Sequence, residues 1–113
     1  MTIALIEAGA DVNAQDERGF TPLIGAGENS NPEVVKALIE AGADIKARNA
    51  YGFTPLIYAA QYNSNPEVIT TLLELGADPK AREQDGKMAL DYAKENENLQ
   101  NTDAFWKLND ASY

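Results

Sequence analysis

Neither cysteine nor histidine occurs among the 113 residues. The first absence removes disulfides, thiolate nucleophiles and thiolate zinc sites, and the second removes the commonest near-neutral acid/base group of enzymes. Basic residues are scarce: nine Lys and Arg stand against 18 Asp and Glu, giving a formal charge of −9. A surface of that sign repels phosphate backbones and anionic lipid at long range, which argues against nucleic acid or a membrane as partner. Its plainest consequence is solubility. No apolar run reaches the roughly 20 residues that span a bilayer. Met1-Thr2-Ile3-Ala4-Leu5 runs into Glu7 without the basic start and apolar core of a secretory signal. The expectation is a cytoplasmic chain in a reducing compartment, with one domain's worth of residues.

What the chain does have is repetition. Gly19-Phe20-Thr21-Pro22-Leu23 returns as Gly52-Phe53-Thr54-Pro55-Leu56, and at nearly the same interval again as an altered Gly86-Lys87-Met88-Ala89-Leu90. Glycine permits a turn with positive φ, the Thr hydroxyl caps a helix N-terminus, and Pro at the first helical position gives up no needed N–H. A loop therefore becomes a helix at each copy. Leu5-Ile6-Glu7-Ala8-Gly9-Ala10-Asp11 recurs identically as Leu38-Ile39-Glu40-Ala41-Gly42-Ala43-Asp44, and Ser30-Asn31-Pro32-Glu33-Val34 recurs as Ser64-Asn65-Pro66-Glu67-Val68.

The local signals predict a helix over residues 1–8 stopped at Gly9, then an extended loop with a tight turn at Asp16-Glu17-Arg18. A weak helix follows from Pro22, in which Gly25 and Gly27 each cost about 0.8–1 kcal/mol relative to Ala. Residues 32–41 carry a stripe of Val34, Val35, Leu38 and Ile39 at helical spacing, with Lys36 and Glu40 outward. The next copy predicts helices over 55–62 and 66–75, the second with Ile69, Leu72, Leu73 and Leu75 apolar. The last predicts helices over 88–95 and 103–111, the latter capped by Thr102 with Phe105, Trp106 and Leu108 on one face.

Helix pairs at a period of about 33, signed Gly-x-Thr-Pro-Leu, resemble the ankyrin repeat. Thr21-Pro22-Leu23, Thr54-Pro55-Leu56, Ala59-Ala60, Glu33-Val34-Val35, Glu67-Val68-Ile69, Val12-Asn13-Ala14 and the Gly-Ala-Asp at Gly9, Gly42 and Gly76 carry the likeness. The Asn-Ser-Asn-Pro connection and the run from Asp91 to Asn98 look like bacterial members. The resemblance implies an all-α solenoid of antiparallel helix pairs joined by extended loop and β-turn fingers. It also implies one domain over 1–113: a partial repeat 1–8, repeats 9–41 and 42–75, and a divergent C-terminal capping repeat 76–113. The family's usual His after Thr-Pro-Leu is replaced by Ile24, Ile57 and Asp91. The chain starts in the outer helix of a repeat without its inner helix, which leaves Ile3, Leu5 and Ile6 in search of cover.

Function follows from the same comparison. The resemblance implies protein binding on the concave face of fingers and inner helices, with no catalysis and no cofactor. The recurring acids Asp11, Asp44 and Asp78 sit beside helix-ending glycines, where repetition marks a structural task. Glu83, Gln84 and Asp85 offer oxygen ligands without the spacing of a calcium loop, so no metal is expected. The family's variable contact positions fall on Gln15, Glu17, Arg18 and Phe20, then on Arg48, Ala50, Tyr51 and Phe53 with Tyr58, Gln61 and Tyr62. Arg82, Gln84, Asp85 and Lys87 belong to the third copy. Of these, Arg18, Phe20, Arg48, Tyr51, Phe53, Tyr58, Tyr62, Arg82 and Lys87 are the candidate contacts, Tyr and Arg being hot-spot types. Phe20 and Phe53 serve packing as readily as binding. Arg18, Arg48 and Arg82 read as a cationic row or as partners of Glu17, Glu83 and Asp85. The alternative is assembly: a homodimer formed through Ile3, Leu5 and Ile6.

Overall fold

Four of the helices begin on a proline, placed where the missing N–H has no intrahelical partner to lose. In the computed structural model, which describes residues 13–26, 31–62 and 65–112, these are α1 (Pro22–Ala26), α2 (Pro32–Glu40), α3 (Pro55–Tyr62) and α4 (Pro66–Glu74). They are followed by α5 (Ala89–Ala93) and α6 (Asp103–Ala111). No strand occurs among the described residues, only an isolated bridge between Arg82 and Met88.

Capping side chains fix where each helix starts. Thr21 and Thr54 hydroxyls accept the N–H of Ile24 and Ile57 at 3.3 and 3.2 Å. Asn31 and Asn65 accept from Glu33 and Glu67 at 3.0 Å each, and Thr102 accepts from Phe105 at 3.1 Å. At α5, where the threonine has become Met88, Asp91 reaches back instead and accepts the Met88 N–H at 2.8 Å. Helices α2 and α4 end alike: Gly42 N–H bonds Ile39 and Ala43 N–H bonds Leu38, while Gly76 bonds Leu73 and Ala77 bonds Leu72. These are paired bonds of a left-handed glycine cap.

Consecutive helices pair as α1 with α2, α3 with α4 and α5 with α6, and the pairs stack so that α3 lies between α1 and α5 while α4 lies between α2 and α6. The core runs between the two layers. Leu23, Leu56, Ile57 and Leu90 enter it from the inner layer, and Val35, Leu38, Val68, Ile69, Leu72 and Leu108 from the outer. Each such side chain contributes about 1.5–3 kcal/mol by leaving water. Ala59, Ala60 and Ala93, fully buried, let the inner helices approach closely.

Four expectations need correction. Helix α2 stops at Glu40, with Ala41 as its cap, one residue short of the end expected at 41. Helix α4 stops at Glu74, and Leu75 caps it 40% exposed because the Gly76 turn carries it away from the core. The helix expected over 88–95 is confined to Ala89–Ala93, since Met88 is extended and Lys94 begins a turn. In α6 the buried face is Ala104 and Leu108, so Phe105 is half-buried and Trp106 is 54% exposed. Each step along a helix turns the side chain by about 100°, which carries position 106 away from the face that 104 and 108 share. The expected helix over 1–8, Gly9 and Gly27 lie outside the described residues.

Candidate functional site

Each finger is built on one side chain that holds its own turn. Asp16 Oδ1 accepts the N–H of Arg18 (2.8 Å) and Phe20 (3.0 Å). Asn49 Oδ1 does the same for Tyr51 (2.9 Å) and Phe53 (3.0 Å), and Glu83 Oε1 for Asp85 (2.7 Å) and Lys87 (3.0 Å). Positions 16, 49 and 83 are spaced by the repeat period. Backbone bonds from Ala50 N–H to Arg18 carbonyl (2.8 Å) and from Gln84 N–H to Tyr51 carbonyl (3.0 Å) tie successive fingers together.

Glycine is required at the finger turn for two reasons. Gly52 has φ +81, and a Cβ there would stand 3.0 Å from the Gln84 nitrogen of the next finger. Gly19 is the same, with φ +80 and 2.8 Å to the Ala50 nitrogen.

The arginines divide into two kinds. Arg48 and Arg82 are equivalent to each other and to Gln15, and all three donate to finger carbonyls. Arg48 Nη1 donates to the Arg82 and Gly52 carbonyls, Arg82 Nη1 to Gly86 (2.7 Å), and Gln15 Nε2 to Gly19 (3.3 Å) and Arg48 (3.4 Å). Arg18 stands elsewhere, immediately before the turn glycine, where the later fingers carry Tyr51 and Asp85. The expected cationic row is thus two separate sets, because the position one period beyond Arg18 is Tyr51 and not Arg48. The recurrent Asp44 and Asp78 accept the N–H of Lys46 and Lys80, each at 2.9 Å, a turn-forming task.

The aromatic residues of the fingers and inner helices form one connected run. Phe20 meets Tyr58 edge-on (centroids 5.2 Å), Tyr58 meets Phe53 (6.2 Å) and Tyr62 (4.8 Å), and Phe53 meets Tyr92 (5.6 Å). Phe20 and Phe53 are half-buried within it, whereas Tyr51 and Tyr62 are 44% and 54% exposed. Lys87 places its Nζ over the Tyr92 ring, 5.4 Å from the centroid. A groove of about 420 Å³ opens among these rings, lined also by Arg18, Asn49, Gln61, Glu83, Gln84 and Asp85. Candidate contacts Arg18, Phe20, Tyr51, Phe53, Tyr58 and Tyr62 thus come together, while Arg48, Arg82 and Lys87 do not line it. Ile3, Leu5 and Ile6 lie outside the described residues.

Sequence reasoning missed Tyr92 and the part played by Glu83. The Tyr92 hydroxyl donates to Glu83 Oε2 at 2.8 Å. Burial and that bond to a carboxylate push the Tyr92 phenol up to about 12. Glu83 moves the other way: burial works to raise it, but the N–H groups of Lys87 and Asp85, the Tyr92 hydroxyl and the Lys87 charge together lower it below the ordinary value. The signal was available, since Tyr92 lies one period beyond Tyr58.

Stacked helix pairs with bonded fingers agree with a comparison of sequence: the family model described as Ankyrin repeats (3 copies) matches residues 1–83. This chain belongs to the ankyrin repeat family. A search of curated proteins found no match. Ankyrin repeats are generally protein–protein interaction modules, and the family is typically a non-catalytic scaffold. The α5–α6 pair lies beyond the matched residues yet stacks on the ankyrin pairs before it. Among the described residues no helix is long and apolar enough to cross a membrane.

Proposed function

We propose that this ankyrin domain recognises another protein on the face formed by its finger tips and inner helices. The unbroken aromatic run from Phe20 through Tyr58 and Phe53 to Tyr92 supports this reading most, because exposed Tyr51 and Tyr62 stand with it beside a groove. Tyrosine buries a large area at little torsional cost and dominates interface energetics. The phenylalanines and Tyr58 hold the floor, and Tyr51 and Tyr62 are the anchors. The repeats proposed over 9–41, 42–75 and 76–113 each supply one finger. The bonds that Arg48 and Arg82 make to carbonyls give them a supporting role, holding the fingers in shape.

Affinity capture with mass spectrometry, followed by titration of the recovered partner, tests this. Tyr51→Ala with Tyr62→Ala should weaken that partner at least tenfold, since a hot-spot truncation costs about 2 kcal/mol or more. Trp106→Ala, on the opposite layer, should leave affinity unchanged. The reverse pattern would place binding on the outer helices.

A further inference from the structure

In three consecutive fingers the residue before the turn glycine differs in kind: Arg18, Tyr51 and Asp85. All three are exposed and line one groove, and their fingers are joined by the Ala50–Arg18 and Gln84–Tyr51 backbone bonds. Among the described residues neither Arg18 nor Asp85 is in an ion pair; Lys36 and Glu33 are. The groove thus carries a cation at one end, an aromatic ring in the middle and a carboxylate at the other.

Two polar atoms of the groove lining lack partners. Asn49 is only 7% exposed; its Oδ1 holds the finger turn, but its Nδ2 has no acceptor. Gln61 Oε1, also buried, has no donor. In the next finger the counterpart of Asn49 is Glu83, whose second oxygen is satisfied by Tyr92. An unpaired buried donor and acceptor each cost free energy until a partner arrives. Backbone peptide groups offer both complements, a C=O and an N–H.

The geometry points to an extended peptide segment of a partner protein as the occupant, with a carboxylate side chain at Arg18 and a Lys or Arg at Asp85. Between them an apolar or aromatic residue lies on Tyr51, and backbone peptide groups meet Asn49 and Gln61 once these buried amides turn towards the groove. This inference rests on the finger face being the binding face. Inner helices in contact lie about 8–10 Å apart, so the two charges are separated by roughly 16–20 Å, or five to six extended residues at about 3.3 Å each.

Fluorescence anisotropy with labelled, end-blocked peptides reads the charge order. The probes carry a central tyrosine and two outer residues, Glu/Lys, Lys/Lys, Glu/Glu or Gln/Gln, at separations of four to seven residues. Measurements are made at about 150 mM salt, where screening acts beyond about 8 Å. The Glu/Lys set should bind about three- to tenfold tighter than either like-charged set. Arg18→Asp should shift the preference to Lys/Lys, and Asp85→Arg to Glu/Glu. Asn49→Asp retains the turn acceptor, as Asp16 does in its own finger, and should weaken every set about tenfold by removing the donor.

Equal affinity for all four sets, a preference unmoved by Arg18→Asp, or no binding of any set would overturn the inference. If peptides of every charge bind and all are lost on Tyr51→Ala with Tyr62→Ala, the face stands and the charge order falls. If the captured partner ignores both tyrosines, the face itself falls.

Discussion

Glu83 is a carboxylate only 6% exposed, in a position where the earlier fingers carry Asp16 and Asn49. Its turn duty was hard to see in the sequence because Asp, Asn and Glu share no obvious pattern until the finger bonds align them. The consequence is a pH dependence at both extremes. Tyr92 is raised from 10.0 to about 12, so its contribution to stability is complete below the ordinary phenol value and is lost as pH rises through the raised one. Glu83 is lowered from 4.5, so its contribution is present above that value and disappears as pH falls through the lowered one. An ultraviolet titration should show one tyrosine ionising near the raised value in the folded protein, and Glu83→Gln should bring it back towards the ordinary one. A wild-type Tyr92 that titrates like a free phenol would mean the Glu83 bond is absent.

Among the elements, α1 is the weak member. It has five residues, and Gly25 faces solvent where an added methyl would meet nothing within 4 Å. Its anchors, Leu23 and Ile24, are 1% and 0% exposed, so tertiary packing rather than propensity holds it. Gly25→Ala should therefore stabilise the protein by about 0.5–1 kcal/mol, visible as a higher urea midpoint at unchanged slope. Unchanged or lowered stability would contradict this. Amide exchange should run faster in α1 than in glycine-free α3. Helix starts were legible because Thr, Asn and Pro announce them chemically. Helix ends and faces were less so: Leu75 and Trp106 are apolar, and only the position of the neighbouring pair decides that they stay outside.

For the whole molecule, the repeat period predicts the stack, and the stack brings the site together. That period places Phe20, Phe53 and Lys87 at one level and Tyr58 and Tyr92 at another. The aromatic members on the fingers and on α3 were legible through the resemblance, whose contact positions fall on them. What the spacing did not reveal was how polar groups between fingers are used, since Arg48 and Arg82 look like surface cations until the carbonyls they bond are in place. Tyr92 was hidden by the drift of Thr-Pro to Met88-Ala89, which weakens the signature of the last copy. The most direct test is an NMR map of backbone amides as the captured partner is added. The expected result is perturbation confined to residues 16–20, 49–53 and 83–87, to Tyr58, Gln61 and Tyr62 of α3 and to Tyr92 of α5. Shifts concentrated on α2, α4 and α6, with the fingers unmoved, would contradict it.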